Sequence, residues 1–155
     1  MTFVRRSAAA DAEECVAIVR ASPDYFAPET HSEIAQGMAS GKGWVACEAT
    51  GEIVGFLLVE RGFTRAAEIL HAAVAPGRRS RGIGTKLVTE VLRQLSVDDT
   101  DLVLVKTLDG SAEYPPFAPT RAFWKRLGFI QIAVIDPFPG WQVGNPAALL
   151  VRSLA

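Results

Sequence analysis

The 155 residues, 49% apolar and 21% charged, have the profile of one globular domain (residues 1–155) long enough to bury a hydrophobic core. A formal net charge of −1 argues against the basic field that draws a chain to nucleic acid or to an acidic membrane. Cys15 and Cys47 form neither a disulfide framework nor a C-x-x-C pair, so a reducing, cytoplasmic setting is expected.

The first twenty residues lack a continuous apolar segment, and acidic residues interrupt them, so no signal peptide is expected. Nor does any run approach the ~18–20 uncharged apolar residues of a membrane span. Residues 2–6 read as a short strand. Residues 11–20 read as a helix with Cys15, Val16, Ile18 and Val19 as its apolar positions. Pro23 breaks it, and SPDYFAPET is a loop whose Tyr25 and Phe26 are placed to cap a pocket. A short helix follows from Glu29 to about Met38, and Ser40-Gly41-Lys42-Gly43 ends it. Residues 44–49 and 53–61 form an antiparallel hairpin around Thr50-Gly51. A third strand, 67–74, stops at Pro76. Beyond a basic, glycine-bearing turn, Ile83, Leu87, Val88, Val91, Leu92 and Leu95 recur at helical spacing. Residues 101–107 read as a buried strand, 120–127 as a helix stopped by Gly128, and 129–135 and 147–151 as the last strands.

The stretch EILHAAVAPGRRSRGIGTKLV is strand, turn and helix, with glycines where the helix begins. A helix start offers unpaired N–H groups and the positive end of the dipole, a combination that binds phosphate. Gly82 and Gly84 let the backbone approach a ligand closely, and Arg78, Arg79 and Arg81 add positive charge. Two other phosphate motifs fail. No G-x-x-x-x-G-K-[ST] can be read from Gly77, and Leu87 stands where a dinucleotide fingerprint needs its third glycine. The plain alternative is a tight turn with solvated arginines.

The segment Arg79-Ser80-Arg81-Gly82-Ile83-Gly84 resembles the acetyl-CoA signature of the GNAT superfamily of N-acetyltransferases, Arg or Gln-x-x-Gly-x-Gly or Ala. Val74-Ala75-Pro76 before it and the amphipathic helix after it also match. At the expected distance, Ala122-Phe123-Trp124-Lys125-Arg126-Leu127-Gly128-Phe129 is similar to the family's A-F-Y-x-x-L-G-F. The resemblance implies an α/β fold, a GNAT-like mixed central sheet with helices on both faces. It also implies that acetyl-CoA (coenzyme A) enters where strands 67–74 and 101–107 splay apart, held by Val74, Arg79, Ser80, Arg81, Gly82, Ile83, Gly84, Thr85 and Trp124. The acceptor would approach from the opposite side, near Tyr25, Phe26, Glu68 and the 137–146 loop with Trp141.

Acyl transfer to an amine needs a neutral nucleophile, a polarised thioester carbonyl and a stabilised thiolate. A lysine-like amine has a pKa of ~10.4 and is mostly protonated at neutral pH, so a base is useful. By resemblance Glu68 is the first candidate, six residues before Val74, and its apolar neighbours Ile69, Leu70, Ala72 and Val74 are surroundings that tune a carboxyl for such work. Its competing reading is a strand-end glutamate in a salt bridge. His71 is the second candidate base. Strict alternation puts Glu68, Leu70, Ala72 and Val74 on one face and His71 on the other, so only one of the two faces the substrate unless a bulge intervenes. The backbone N–H of Val74 or Ala75 is the candidate to polarise the carbonyl.

The chain departs from the family at Trp124, where a tyrosine is common. An indole N–H donates a hydrogen bond but is no practical acid. Tyr114 is the candidate replacement, or else a loop aromatic packed on Pro115 and Pro116. Trp124 has its own alternative, filling the core beside Phe123. No metal-ligand spacing and no G-x-S-x-G elbow is present, so no metal is expected. The expected partner is a small-molecule amine, with no nucleic acid and no membrane. A protein or peptide N-acetyltransferase and a catalytically weak acyl-CoA-binding module are the alternatives, and a homodimer through the apolar C-terminal strand is possible.

Overall fold

The computed structural model describes residues 1–155. Seven strands and four α-helices follow one another along the chain: β1 Thr2–Arg6, α1 Ala12–Arg20, α2 His31–Ala39, β2 Gly43–Glu48, β3 Ile53–Phe63, β4 Ala66–Val74, α3 Ile83–Val97, β5 Leu102–Leu108, α4 Ala118–Arg126, β6 Ile130–Ile135 and β7 Ala147–Ser153. The strands form one sheet in the order β1-β2-β3-β4-β5-β7-β6, the α/β architecture with a mixed sheet that the family resemblance implies. Every expected element is present, with no end shifted by more than two residues. The chain divides into two compact units, one of Met1–Glu60 with Ile69–Asp99 and one of Arg61–Glu68 with Thr100–Ala155.

In the first unit, β1 and β2 pair antiparallel from Thr2↔Glu48 to Arg6↔Trp44, and β2 and β3 pair antiparallel with a bulge at Ala46/Cys47. Gly51, at φ 92°, closes the hairpin. Residues 53–59 of β3 are buried on both faces. Phe56 and Leu58 join Cys15, Ile18, Val19, Ile34 and Met38 of α1 and α2 in one apolar cluster. Gly55 points the other way, where a Cβ would lie 3.6 Å from Ile83 of α3. Helices therefore cover both faces of β3, and each large side chain buried there contributes about 1.5–3 kcal/mol. Acidic Glu13 and Glu14 in the first turn of α1 and Arg20 in its last complement its dipole.

The same cluster reveals an irregularity in β4. Leu70, Ala73 and Ala75 all pack against it, although Leu70 and Ala73 are an odd number of residues apart. The alternation expected along this strand is therefore interrupted between Leu70 and Ala73.

In the second unit, β7 lies between β5 and β6 and pairs antiparallel with both, Leu102↔Ser153 to Leu108↔Ala147 and Ile130↔Val151 to Ile135↔Ala147. Both edges of the C-terminal strand are therefore taken within the chain, which leaves it no free edge for the pairing across a dimer considered for it. The open edge belongs to β6, with Ile130, Ile132 and Val134 exposed on it. α4 ends in a Schellman motif: Phe129 N–H donates to the Trp124 carbonyl, Gly128 N–H donates to that of Lys125, and Gly128 has φ 87°. The Trp124 and Phe129 rings meet edge to face at 5.2 Å, the apolar contact that accompanies this stop.

Candidate acetyl-CoA and acceptor site

The turn between β4 and α3 is built from a short 3-10 segment, Pro76–Arg78, then extended Arg79, then Ser80 and Gly82, both left-handed at φ 63° and 78°. A left-handed serine is uncommon and costs of order 1–3 kcal/mol, strain of the kind that gathers at functional turns. Gly82 caps α3 with no side chain to bond the helix end. The first helical backbone bond is Lys86 N–H to the Gly82 carbonyl, so the N–H groups of Ile83, Gly84 and Thr85 precede the ladder and have no partner within it. A Cβ on Gly82 would meet no atom within 4 Å, so the space beside the helix start is open. Unpaired amides, a helix dipole and open space suit a pyrophosphate.

The three arginines divide their tasks. Arg78 is spent on Glu48 and Glu52, at 2.7 and 2.9 Å, and so does not add the phosphate-directed charge expected of it. Arg79 donates from Nε to the Val74 carbonyl at 3.1 Å and from Nη2 to Ser22 Oγ at 2.8 Å, and lies over the Tyr25 ring at 5.2 Å. It braces the turn against the end of β4 and the chain after α1. Arg81 is exposed and makes none of these contacts. Ala75 N–H donates to the Val54 carbonyl at 2.8 Å. Of the two amides expected to polarise a carbonyl, Ala75 is therefore committed to β3 and Val74 remains the candidate.

His71 Nε2 lies 3.3 Å from Glu33 Oε1 of α2, and its ring is 6.0 Å from that of Phe26, itself packed against the core cluster. A cleft of about 490 Å³ in the same unit is lined by residues that include Glu33, Leu58, Glu60 and Leu70. Tyr25 and Phe26 thus touch Arg79 and His71.

In the second unit, Glu68 pairs with Lys106 of β5, Nζ to Oε2 at 2.8 Å, with the two side chains 22% and 19% exposed. The salt bridge considered for this glutamate is present, although half-buried rather than at an exposed strand end. Lys106 Nζ also lies 4.3 Å from the centre of the Phe138 ring. Tyr114 is exposed and packs on Phe117, ring centres 5.7 Å apart, one residue beyond the prolines expected to receive it. Trp124 is 5% exposed and meets Phe123 and Phe129 edge to face, the packing role considered for it. Lys106, Phe138, Ser22 and Glu33 escape a reading of the sequence. Lys106 alone leaves a mark there, as the one charge within LVLVKTL.

The fourth strand of this α/β sheet runs through a left-handed turn into a helix that presents its first amides to open space. The sequence model of the acetyltransferase (GNAT) domain matches residues 39–131, more than half of the chain, and the chain belongs to that family. Its members are acyl-CoA-dependent transferases. No curated protein matches by sequence. Among solved structures, a GNAT-family protein from Desulfovibrio desulfuricans superposes with a TM-score of 0.87 at 22% identity, each chain fully covered. The ribosomal-protein-S18-alanine N-acetyltransferase of Escherichia coli gives 0.81 at 14% identity over 100% of this chain and 95% of that one. An aminoglycoside 6'-N-acetyltransferase complexed with coenzyme A gives 0.76 at 15% identity over 99% and 97%. At these identities the likeness is one of fold.

Proposed function

We propose that this chain is an N-acetyltransferase that moves an acetyl group from acetyl-CoA to the primary amine of a small molecule. The observation that carries the reading is the left-handed turn at Ser80 and Gly82, which frees the amides of Ile83, Gly84 and Thr85 at the start of α3. Those amides, with Arg81, hold the pyrophosphate, and Arg79 keeps the turn in shape from behind. Acetyl-CoA supplies a thioester, and the Val74 N–H polarises its carbonyl. Glu68 accepts a proton from the acceptor's ammonium, so that the neutral amine attacks. His71, tied to Glu33, is the second candidate for that task. Tyr114 is the candidate proton donor to the thiolate, a leaving group of pKa ~8.5 that tolerates a weak donor. Trp124, buried between two rings, supports this region by packing. A single domain and a cytoplasmic setting belong to the same reading, supported by a family match that runs through both units and by two free, buried thiols.

Calorimetric titration with acetyl-CoA tests the reading. The expected result is micromolar binding by the native chain, lost in Gly82→Asp, which sets a carboxylate against the phosphates, and in Arg79→Glu. A folded native chain that takes up no acetyl-CoA overturns it.

A further inference from the structure

We propose that the Glu68 carboxylate and the Phe138 ring form the subsite for the acceptor's ammonium, and that Lys106 is an internal occupant displaced by an aliphatic primary ammonium. The inference rests on the reading of Glu68 as the base. Lysine on a strand as apolar as LVLVKTL is costly unless its charge is met. Here a carboxylate oxygen lies 2.8 Å from Nζ on one side, and an aromatic face lies 4.3 Å away on the other. Carboxylate plus aromatic face is the chemistry that recognises an ammonium. Phe138 is itself steadied by Trp141, edge to face at 6.1 Å.

Lys106 fills this place without locking it. Glu68 Oε2 is buried and, despite the close ammonium, receives no hydrogen bond of good geometry. The pair is a charge contact, and an aligned donor is still wanted. A ligand ammonium arriving along another line supplies that donor. The lysine stem is an unbranched four-carbon chain, free to swing aside. The group it gives way to is chemically its own kind, a primary ammonium on an aliphatic stem. Once such an ammonium is seated, Glu68 is bonded to the proton it has to remove. One N–H bond breaks and one O–H bond forms, leaving a neutral amine and a carboxylic acid.

The test uses the whole chain without coenzyme A, titrated calorimetrically with n-butylammonium chloride and, separately, with 1-pentanol, a neutral alcohol at least as apolar. If Lys106 holds the subsite nine-tenths of the time, removing its charge in Lys106→Met tightens n-butylammonium binding about tenfold. 1-Pentanol shows no such gain, and adding Phe138→Leu or Glu68→Gln to Lys106→Met abolishes it. Lys106→Gln, which keeps a polar head in the half-buried site, repeats the measurement should Lys106→Met fail to fold. A folded Lys106 variant that binds n-butylammonium no tighter than the native chain overturns the proposal, as does an equal gain for 1-pentanol. Since acetyl-CoA is absent, this result and the acetyl-CoA titration fail independently.

Discussion

Arg79 donates its Nε–H to the carbonyl of Val74, five residues back, and so fastens the turn before α3 to the end of β4. Its second anchor, Ser22 Oγ, ties the same guanidinium to the chain after α1. A charge-assisted hydrogen bond contributes about 1.5–3 kcal/mol. Arg79→Ala is therefore expected to weaken acetyl-CoA binding by roughly 10- to 100-fold through disorder of the turn. Arg79→Lys recovers little, because one ammonium cannot serve two acceptors in different directions. Calorimetry of both variants checks this. Full affinity in Arg79→Ala would mean that Gly82 and the helix amides hold their shape unaided.

Glu68 and His71 are separated by their kinetics. A positioned general base contributes about 10²- to 10⁴-fold in rate. Glu68→Gln should lower kcat by that factor and leave the KM for acetyl-CoA unchanged. His71→Asn, which loses a contact to Glu33 but no proton-transfer step, should cost less than about tenfold. The reverse ranking, measured on any amine that turns over, would move the base to His71.

The cysteines give a chemical check on the core. Cys15 and Cys47 are 0% and 1% exposed, and burial pushes the Cys15 thiol up to about 12 and raises that of Cys47. The thiolate is the reactive form, so at pH 8 only about one Cys15 in 10⁴ is ionised, before steric protection is counted. Iodoacetamide should label neither residue in the native chain and both in denaturant, read by mass spectrometry. Rapid native labelling at either position would mean that the α1–α2 face opens.

Much of this architecture is legible from sequence because it rests on local signals. The spacing of Leu87, Val88, Val91, Leu92 and Leu95 marks a helix, and Gly82 sits where a left-handed residue opens it. The Trp124-Lys125-Arg126-Leu127-Gly128-Phe129 segment is readable for the same reason, since its glycine and aromatic residues form a helix stop with its own apolar contact. Long-range choices leave no such trace. Arg78 is drawn to Glu48 and Glu52, partners 30 and 26 residues away, and nothing in the turn foretells it. The break in β4 alternation is hidden because Leu70, Ala72 and Ala73 are all small or apolar and fit either face. The Glu68–Lys106 pair depends on the register between β4 and β5, which nothing local in either strand records.

Acid should act on the first unit through Asp11. Its carboxylate accepts from Arg5 Nη1 and Nη2 at 2.8 and 2.9 Å and from Ala8 N–H at 2.7 Å, and it is 6% exposed. The Arg5 hydrogen bonds, and to a lesser degree the Ala8 amide, hold its carboxyl below the usual range. A carboxyl with a folded-state pKa below its unfolded value adds stability that is full above the unfolded value, ~3.9 for aspartate, and lost as pH falls through the folded one. Thermal stability should therefore drop below about pH 4, and the drop should shrink in Asp11→Asn. That variant should itself lose about 1–3 kcal/mol at neutral pH, since it keeps the shape but gives up one acceptor and the charge that Arg5 meets. Melting curves of both chains between pH 3 and 7 decide it. Parallel curves would show that another carboxylate governs acid unfolding.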